Sequence, residues 1–283
     1  MTGLDIRLSN GALIGTSGYG LPSPDVALQH GSRAEHCRFK LDIEMYDEND
    51  ASSVSLVVYL QDAPEVVVDI ATRVEEQLKC QSYNPLFSRF FDLVAEWKSP
   101  TVVEIGARKS PGDMYAKRLP TGSRYVGFDI KSGPNVDVVG DAHRISDYFS
   151  EASIDAVFAA STIEHLAMPW KAIIEVNCIL KPRGLVFFVT HQTWPVHEAP
   201  WDYWRLSEHA WRVLLNETTG FEIIEAAMGD GGTIVADLIQ GGTVGLDRQP
   251  AFLHTWVLAR KTGPTTLRWD VDPEMIVDRP YPG

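Results

Sequence analysis

The chain has 283 residues, of which 45% are hydrophobic, so it is long enough for one large α/β domain with an accessory piece. Its formal net charge of −13 at pH 7 would repel a phosphate backbone, which argues against DNA or RNA as a substrate. Three widely separated cysteines argue against a disulfide framework and a Cys-x-x-Cys zinc site, and no apolar run reaches the roughly 20 residues of a membrane span, so we expect a cytoplasmic protein.

Residues 1–75 have the pattern of a small β-rich module. The stretch CRFKLDIEMY at residues 37–46 alternates apolar and charged side chains, which is typical of an antiparallel strand with one dry face. Residues 53–60 and 65–70 add two further β-rich runs bounded by turn-forming residues. We expect this module to contribute stability or a homodimer contact, and the alternative is a glycan-binding or substrate-selecting module.

Helices and strands then alternate over residues 76–262, the expected catalytic domain. Apolar side chains at residues 71–97 have helical spacing, and the β-branched run at 102–105 predicts a strand buried on both faces. The later predicted elements are a helix at 170–180, strands at 185–190, 221–227 and 252–260, a helix from a Ser207 cap to Asn216, and a short helix near 233–240. Residues 263–283 are expected to form an extended tail with Trp269 packed back onto the domain.

A glycine turn and two acidic strand ends indicate a ligand site. The segment TVVEIGARKSPG at residues 101–112 places Gly106 directly after a predicted strand, where it allows a tight turn and a close approach of the backbone to a ligand. Asp129 ends the next strand and Asp141 the one after. An acid about 20 residues beyond such a turn is where an open α/β sheet places a carboxylate against ribose hydroxyls, so Asp129 is predicted to bind a ribose.

The residues after the turn argue against a dinucleotide. Ser110 to Asp113 have the pattern of a helix start, with a serine cap, proline at the first position and an acid three residues after the cap. A dinucleotide fingerprint needs Gly-x-Gly-x-x-Gly, but Arg108 and Ser110 stand near the turn where small residues are required. The predicted ligand therefore has a ribose, an adenine and a small carboxylate without a diphosphate, and S-adenosylmethionine (SAM) fits that description.

Five sequence blocks in order resemble the class I SAM-dependent methyltransferases of the small-molecule, methyltransferase type 11-like kind. The blocks are VVEIG at 102–106, GFDI at 127–130, GDAHRI at 140–145, IDAVFAASTIEHL at 154–166 and ILKPRGLVFFVT at 179–190. The resemblance covers residues 85–261 and departs from the family where Arg108 and Ser110 replace the second and third glycines of its first motif. It implies a Rossmann-like seven-stranded α/β sheet of order 3-2-1-4-5-7-6, with the last strand antiparallel, helices on both faces and SAM as cofactor.

The resemblance also implies a set of cofactor-binding residues. Asp129 would bind the ribose, and Asp141 with Ala142 would reach the adenine edge, the alternative for Asp141 being a helix cap. Glu104 is expected to orient the loop through backbone amides, whereas Arg108 either pairs with the cofactor carboxylate or points outward. The full predicted set is Glu104, Gly106, Ala107, Arg108, Asp129, Ile130, Asp141, Ala142 and Ser161.

The predicted acceptor side follows the fourth and fifth strands of that sheet. His197 is a candidate general base for a hydroxyl acceptor, or else a hydrogen-bonding anchor, and His165 belongs to the active-site floor or else caps the next helix. Aromatic and charged residues of HQTWPVHEAPWDYWR at 191–205 would form a substrate wall or pack the loop onto the sheet. The predicted substrate residues are His191, Trp194, Asp202, Tyr203 and Arg205. No metal is expected, because His191, His197, Glu198 and Asp202 are irregularly spaced.

The sequence thus predicts a SAM-dependent methyltransferase that acts on a small molecule or a glycan, with a hydroxyl oxygen as acceptor. One alternative is a non-catalytic scaffold of the same fold that binds SAM or its demethylated product, since the glycine loop is altered. Another is an NAD-dependent oxidoreductase, which the missing glycines disfavour.

Overall fold

The structure is a computed structural model that describes residues 3–8, 13–17, 54–59, 66–69, 82–237, 240–246 and 249–277. The chain divides into two compact units, Met1–Gln81 with Gly231–Ala251, and Ser82–Asp230 with Phe252–Gly283. The domain limits of 1–75, 76–262 and 263–283 stay a prediction. Within the described part of the chain, every helix is too short or too polar to cross a membrane.

The first unit contains a four-stranded antiparallel sheet. Its strands are β1 (Gly3–Leu8), β2 (Leu13–Ser17), β3 (Val54–Tyr59) and β4 (Val66–Asp69), in the order β2-β1-β3-β4. Strands β3 and β4 coincide with the β-rich runs predicted at 53–60 and 65–70. The strand predicted at 37–46 lies outside the described residues.

The second sheet has seven strands and carries the predicted site. They are β5 (Thr101–Ile105), β6 (Arg124–Asp129), β7 (Val138–Val139), β8 (Ile154–Ala160), β9 (Leu180–His191), β10 (Phe221–Gly232) and β11 (Ala251–Lys261). The spatial order is β10-β11-β9-β8-β5-β6-β7, with β11 antiparallel to β9 and parallel pairing from β9 through β7. The predicted order 3-2-1-4-5-7-6 is therefore confirmed.

Helices cover both faces of this sheet. They are α1 (Asn84–Ala95), α2 (Gly112–Ala116), α3 (Pro169–Ile179) and α4 (Glu208–Leu214). Successive residues of a strand point to opposite faces, so Val157 packs in the cluster that includes α3 and α4, whereas Phe158 packs in the cluster that includes α1. The α1 side is aromatic, and its Phe87 stacks on Phe187 with ring centroids 4.7 Å apart. These two layers hold the carboxyl edge of the sheet in place.

Two predicted helices need correction, and the start of a third lies outside the described residues. Helix α1 begins at Asn84, and the earlier residues of the predicted helix, 71–81, are not described. Ser207 precedes α4 but makes no side-chain cap, and α4 ends at Leu214. Residues 233–237 are not helical, in keeping with the β-branched side chains at 233–235, and only a 3-10 turn follows at Gly241–Thr243.

A buried asparagine ties the C-terminal residues to the domain. Asn177 of α3 donates hydrogen bonds to the carbonyl oxygens of Thr219 and Gly263, both at 3.0 Å, and accepts one from the Thr265 amide at 3.0 Å. The buried Lys261 ammonium donates to the carbonyl oxygens of Asn177 and Leu180 at 2.6 and 2.8 Å. The ends of α3, β9 and β11 are thus joined through one polar cluster.

Asn177→Ala should lower the free energy of unfolding by about 2–3 kcal/mol, because it leaves buried backbone groups without partners. Urea unfolding followed by fluorescence measures the change. Asn84→Ala, at an exposed position of α1, is the matched control. A loss no larger than that of the control would show that the asparagine cluster is not a stabilising element.

Candidate active site

A cavity of about 650 Å³ lies at the carboxyl ends of the parallel strands, within the second unit. Its lining includes most of the residues predicted for the cofactor, namely Glu104, Gly106, Arg108, Asp129, Ile130, Asp141, Ala142 and Ser161. It also includes five of the residues predicted for the acceptor side, namely His165, His191, Trp194, His197 and Tyr203. The two predicted groups therefore share one cavity.

The turn after β5 can accept only glycine at position 106. Gly106 has φ +88°, and a Cβ there would lie 2.0 Å from Thr162 Oγ1. The Gly106 amide donates to the Phe128 carbonyl oxygen at 2.8 Å, which fixes the turn against β6. Ala107, by contrast, is fully buried beside Gly127 and lies outside the cavity lining.

Glu104 is a buried carboxyl group held by side-chain hydroxyls. It accepts hydrogen bonds from Ser110 Oγ at 2.9 Å and from the Tyr125 hydroxyl. The expectation that it binds backbone amides is therefore wrong, and so is the assignment of Ser110 as a helix cap, since α2 begins after Pro111. Burial raises the pKa of Glu104 to about 7, and the charge of Asp129 adds to this, whereas the two hydroxyl donors lower the pKa.

Asp129 holds the glycine loop from the end of β6. Its carboxylate oxygens accept hydrogen bonds from the amides of Arg108 at 3.0 Å and Lys131 at 2.9 Å. A carboxylate oxygen has two lone pairs, so each of these oxygens can still accept a ligand hydroxyl. The Arg108 side chain packs over Gly133 and places Nε 3.8 Å from Asp129 Oδ1, so it lies along the cavity wall at the Asp129 end.

Asp141 caps the 3-10 helix Ala142–Asp147 and also lines the cavity. Its carboxylate accepts hydrogen bonds from the His143 amide at 2.9 Å and from His143 Nδ1 at 2.6 Å. The Met168 amide donates to His143 Nε2, so the ring proton lies on Nδ1. Burial alone would raise the pKa of Asp141, but the hydrogen bonds from His143 lower it below its usual value. The helix-cap alternative is thus confirmed for Asp141.

Residues near the C-terminus complete the wall beside Asp141, and the sequence analysis did not find them. Pro273, Glu274 and Val277 line the cavity. Arg144 holds this segment through ion pairs of 3.0 Å to Asp272 and 2.9 Å to Glu274. Upstream, Trp269 packs edge-on against Trp170, 5.8 Å between centroids, as the tail prediction expected.

Glu164, which was not among the predicted site residues, is the centre of the acceptor side. It is 0% exposed, and its Oε2 accepts a hydrogen bond from Thr190 Oγ1 at 2.7 Å. Its Oε1 lies 3.2 Å from His191 Nε2 and 3.8 Å from His197 Nε2. That oxygen is buried and makes no hydrogen bond with any described residue.

Two histidines next to Glu164 have their Nδ1 atoms anchored. His165 Nδ1 lies 2.7 Å from the Trp201 carbonyl oxygen, so it carries the proton and Nε2 has the free lone pair. His197 Nδ1 lies 3.3 Å from the Pro195 carbonyl oxygen and 3.3 Å from Asp202 Oδ2. The two rings meet edge to face at 4.8 Å. The helix-cap alternative for His165 does not hold, because α3 begins after Met168.

His191 lines the acceptor side of the cavity and packs among aromatic rings. Its ring stacks on Trp194 with centroids 4.5 Å apart and lies 5.2 Å from the ring of His254. Burial, with smaller effects of His254 and His197, lowers the pKa of His191 to about 4, so the ring is neutral at pH 7. His254, whose Nδ1 lies 2.8 Å from Asp230 Oδ2, was missed because a lone histidine in an apolar strand carries no signal.

Asp202 and Arg205 hold the 194–205 loop in place. Arg205 binds both oxygens of Asp202, at 2.6 and 2.7 Å, and donates to the carbonyl oxygens of Trp194 and Pro195 at 3.1 Å. The Arg205 hydrogen bonds lower the pKa of Asp202 strongly. Both side chains lie outside the cavity lining, which places them as loop anchors rather than at the predicted substrate position.

Two further residues shape the cavity rim. Ser161, after β8, has φ +49°, a conformation that is uncommon for a residue other than glycine, and its amide donates to the Val189 carbonyl oxygen at 2.9 Å. The Lys109 ammonium lies 2.7 Å from Glu198 Oε1, so it links the glycine loop to the 194–205 loop.

The chain is similar to known proteins over part of its length. A family model described as a methyltransferase domain matches residues 111–188, which run from α2 into β9. A SAM-dependent methyltransferase from Archaeoglobus fulgidus is 14% identical, with a TM-score of 0.46 over 68% of this chain and 100% of that chain. One from Aquifex aeolicus is 14% identical, with a TM-score of 0.42 over 69% and 99%. The CurJ carbon methyltransferase is 17% identical, with a TM-score of 0.43 over 68% and 58%. No curated protein matches the sequence significantly.

The sheet order and the cavity at its carboxyl edge define a Rossmann-like methyltransferase fold. The family match, over residues 111–188, makes this part of the chain similar to a methyltransferase domain. The matched segment runs from α2 into β9 and includes β6 and β8, which border the cavity.

The raised pKa of Glu104 predicts a pH dependence of stability. A carboxyl group whose pKa rises from 4.5 to about 7 on folding stabilises the folded state below pH 4.5 and loses that contribution as the pH rises to about 7. Glu104→Gln cannot ionise, so the variant should gain stability relative to the parent between pH 5 and pH 8. Urea midpoints at both pH values measure this, with Glu222→Gln, at an exposed position, as control. An equal difference at both pH values would contradict the assignment.

Proposed function

We propose that the protein methylates a hydroxyl oxygen of a small-molecule or glycan acceptor. Bound SAM supplies an activated methyl group. The residues of the cavity fit SAM because Gly106, packed on Thr162, holds the loop after β5 against the loop after β8, so that Asp129 and Asp141 line the same cavity as the acceptor-side histidines. The cavity volume of about 650 Å³ lies in the usual range for ligand sites.

Different residues would hold the adenosine end and the amino acid end of the cofactor. Asp129 offers carboxylate lone pairs to the ribose hydroxyls. Asp141, Ala142 and the segment of Pro273 and Glu274 surround the place proposed for adenine. Arg108 and Ser110 stand in the glycine loop nearer the amino acid end, where Arg108 provides a positive charge for a carboxylate.

The observation that carries the acceptor proposal is the anchoring of His165. Its Nδ1 is held by the Trp201 carbonyl oxygen, so its Nε2 lone pair can accept a proton from a hydroxyl group. His197, anchored by Pro195 and Asp202, is the second group able to do so. Trp194, Trp201 and Tyr203 line the same region, and their flat faces suit a sugar or an aromatic ring.

The net charge of −13 supports an acceptor other than a nucleic acid. A homodimer through the N-terminal β module and a cytoplasmic location stay predictions. Size-exclusion chromatography with light scattering would test the dimer.

Asp129→Asn should weaken binding of S-adenosylhomocysteine (SAH), the demethylated cofactor, by about tenfold or more, because a hydrogen bond to a charged group contributes about 1.5–3 kcal/mol. Isothermal titration calorimetry measures the dissociation constant. Asp113→Asn, at an exposed position of α2, is the matched control. An unchanged dissociation constant would remove Asp129 from the cofactor site.

His165→Ala and His197→Ala should each reduce the turnover rate, by about 10²–10⁴-fold for a residue that accepts the proton, while SAH binding stays as in the parent. The assay uses isotope-labelled SAM with a panel of hydroxylated small molecules and sugars. His209→Ala, whose side chain is 77% exposed, is the control. Products methylated only on nitrogen or carbon would reject the oxygen acceptor, and unchanged turnover in both variants would reject the histidines.

A further inference from the structure

Three side chains on the acceptor side converge as metal ligands do. One oxygen of Glu164 and one ring nitrogen each of His165 and His197 lie within 4.8 Å of one another. His165 and His197 are half-buried and line the cavity, whereas Glu164 is fully buried behind them. Two imidazoles and one carboxylate form a mixed nitrogen and oxygen ligand set that leaves positions open on a metal ion.

The hydrogen bonds around this group leave the correct atoms available. Histidines that bind a metal commonly use their second nitrogen to donate to a carbonyl or carboxylate oxygen. His165 Nδ1 does so to Trp201 at 2.7 Å, and His197 Nδ1 lies 3.3 Å from oxygens of Pro195 and Asp202. Both Nε2 atoms therefore remain as lone-pair donors, and His197 Nε2 lies 3.8 Å from Glu164 Oε1.

The carboxylate of Glu164 supplies an independent argument. Its Oε1 is buried and has no hydrogen bond to any described residue, and buried charges in proteins are usually paired or bind metals. Arg205, whose charge interacts with that of Glu164, is bound by both oxygens of Asp202. Thr190 Oγ1 occupies the other oxygen, Oε2, and orients the carboxylate.

We propose that Glu164, His165 and His197 bind a divalent first-row transition-metal ion on the acceptor side of the cavity. The expectation of no metal rested on the spacing of His191, His197, Glu198 and Asp202. Of these, Asp202 pairs with Arg205 and Glu198 with Lys109, whereas Glu164 and His165 reach the site from the loop after β8.

The role of the ion rests on the proposed function. The open positions on the ion would bind the acceptor hydroxyl, and the positive charge would lower the pKa of that hydroxyl. With the ion bound, His165 and His197 would be ligands, and the proton of the metal-bound hydroxyl would be released to bulk water once the ion has lowered its pKa. Acceptors with two neighbouring oxygens, such as vicinal diols or hydroxy acids, can bind the ion through both, and we expect them to be preferred.

The test uses the untagged full-length protein, freed of metals with a chelator and titrated with Zn²⁺ or Mn²⁺ by calorimetry. We expect one equivalent to bind to the parent protein. Loss of an outer-shell partner of a metal site typically costs about 10–100-fold in affinity, so Glu164→Gln and His165→Ala, which remove ligands, should each lose at least about a hundredfold. His209→Ala removes an exposed histidine of α4, and this variant should bind the metal ion as the parent protein does.

SAH binding and thermal unfolding of the same variants separate the possible outcomes. If Glu164→Gln and His165→Ala keep their SAH affinity but lose metal affinity, the metal site is supported. This result would stand even if no acceptor is methylated at oxygen. If Glu164→Gln unfolds, His165→Ala alone decides, because Glu164 keeps its Thr190 hydrogen bond in that variant. Absence of binding to the parent protein, or equal binding in the parent, His165→Ala and His209→Ala, would overturn the proposal.

Discussion

The close contact between Gly106 and Thr162 is the constraint on which the rest of the site depends. These residues follow β5 and β8, which are neighbours in the sheet, and any side chain at position 106 would push the two loops apart. Because the loops touch, the groups after β5 and β6 and those after β8 and β9 line one cavity. A methyltransferase needs this arrangement, since donor and acceptor must be held in line within a few ångströms.

Two buried glutamates have different surroundings. Glu104 lines the cavity, and Glu164 lies behind the acceptor-side histidines. Glu104 receives hydrogen bonds from two hydroxyl groups, and burial raises its pKa to about 7, so it can remain neutral at little cost. Glu164 has one hydroxyl donor and faces the imidazole rings of His191 and His197. The first environment suits a structural carboxyl group that closes the glycine loop. The second leaves one buried carboxylate oxygen without a hydrogen bond from the described residues, next to histidines that line the cavity, which suits an ion.

The sequence predicted the features that depend on local pattern. Apolar runs located the strands, the resemblance to the methyltransferase family implied their order, and the distance from Gly106 to Asp129 placed the acid at the loop. The features that depend on tertiary contacts could not be predicted from the local sequence pattern. Arg205 looked like a substrate residue because nothing local shows that it folds back onto Asp202. The segment around Pro273 has no periodic pattern and reaches the cavity only through the ion pairs of Arg144.

The anchoring of the 194–205 loop explains why a long irregular segment can carry chemistry. Arg205 bonds to Asp202 and to two carbonyl oxygens, and Asp202, which is 2% exposed, accepts a 2.9 Å hydrogen bond from the His197 amide. The backbone of His197 is thereby fixed from the protein side, independently of any ligand. The Lys109–Glu198 pair at the rim is exposed and contributes at most about 1 kcal/mol. The position of His197 thus depends on the shielded Asp202 cluster and changes little when the rim contact breaks.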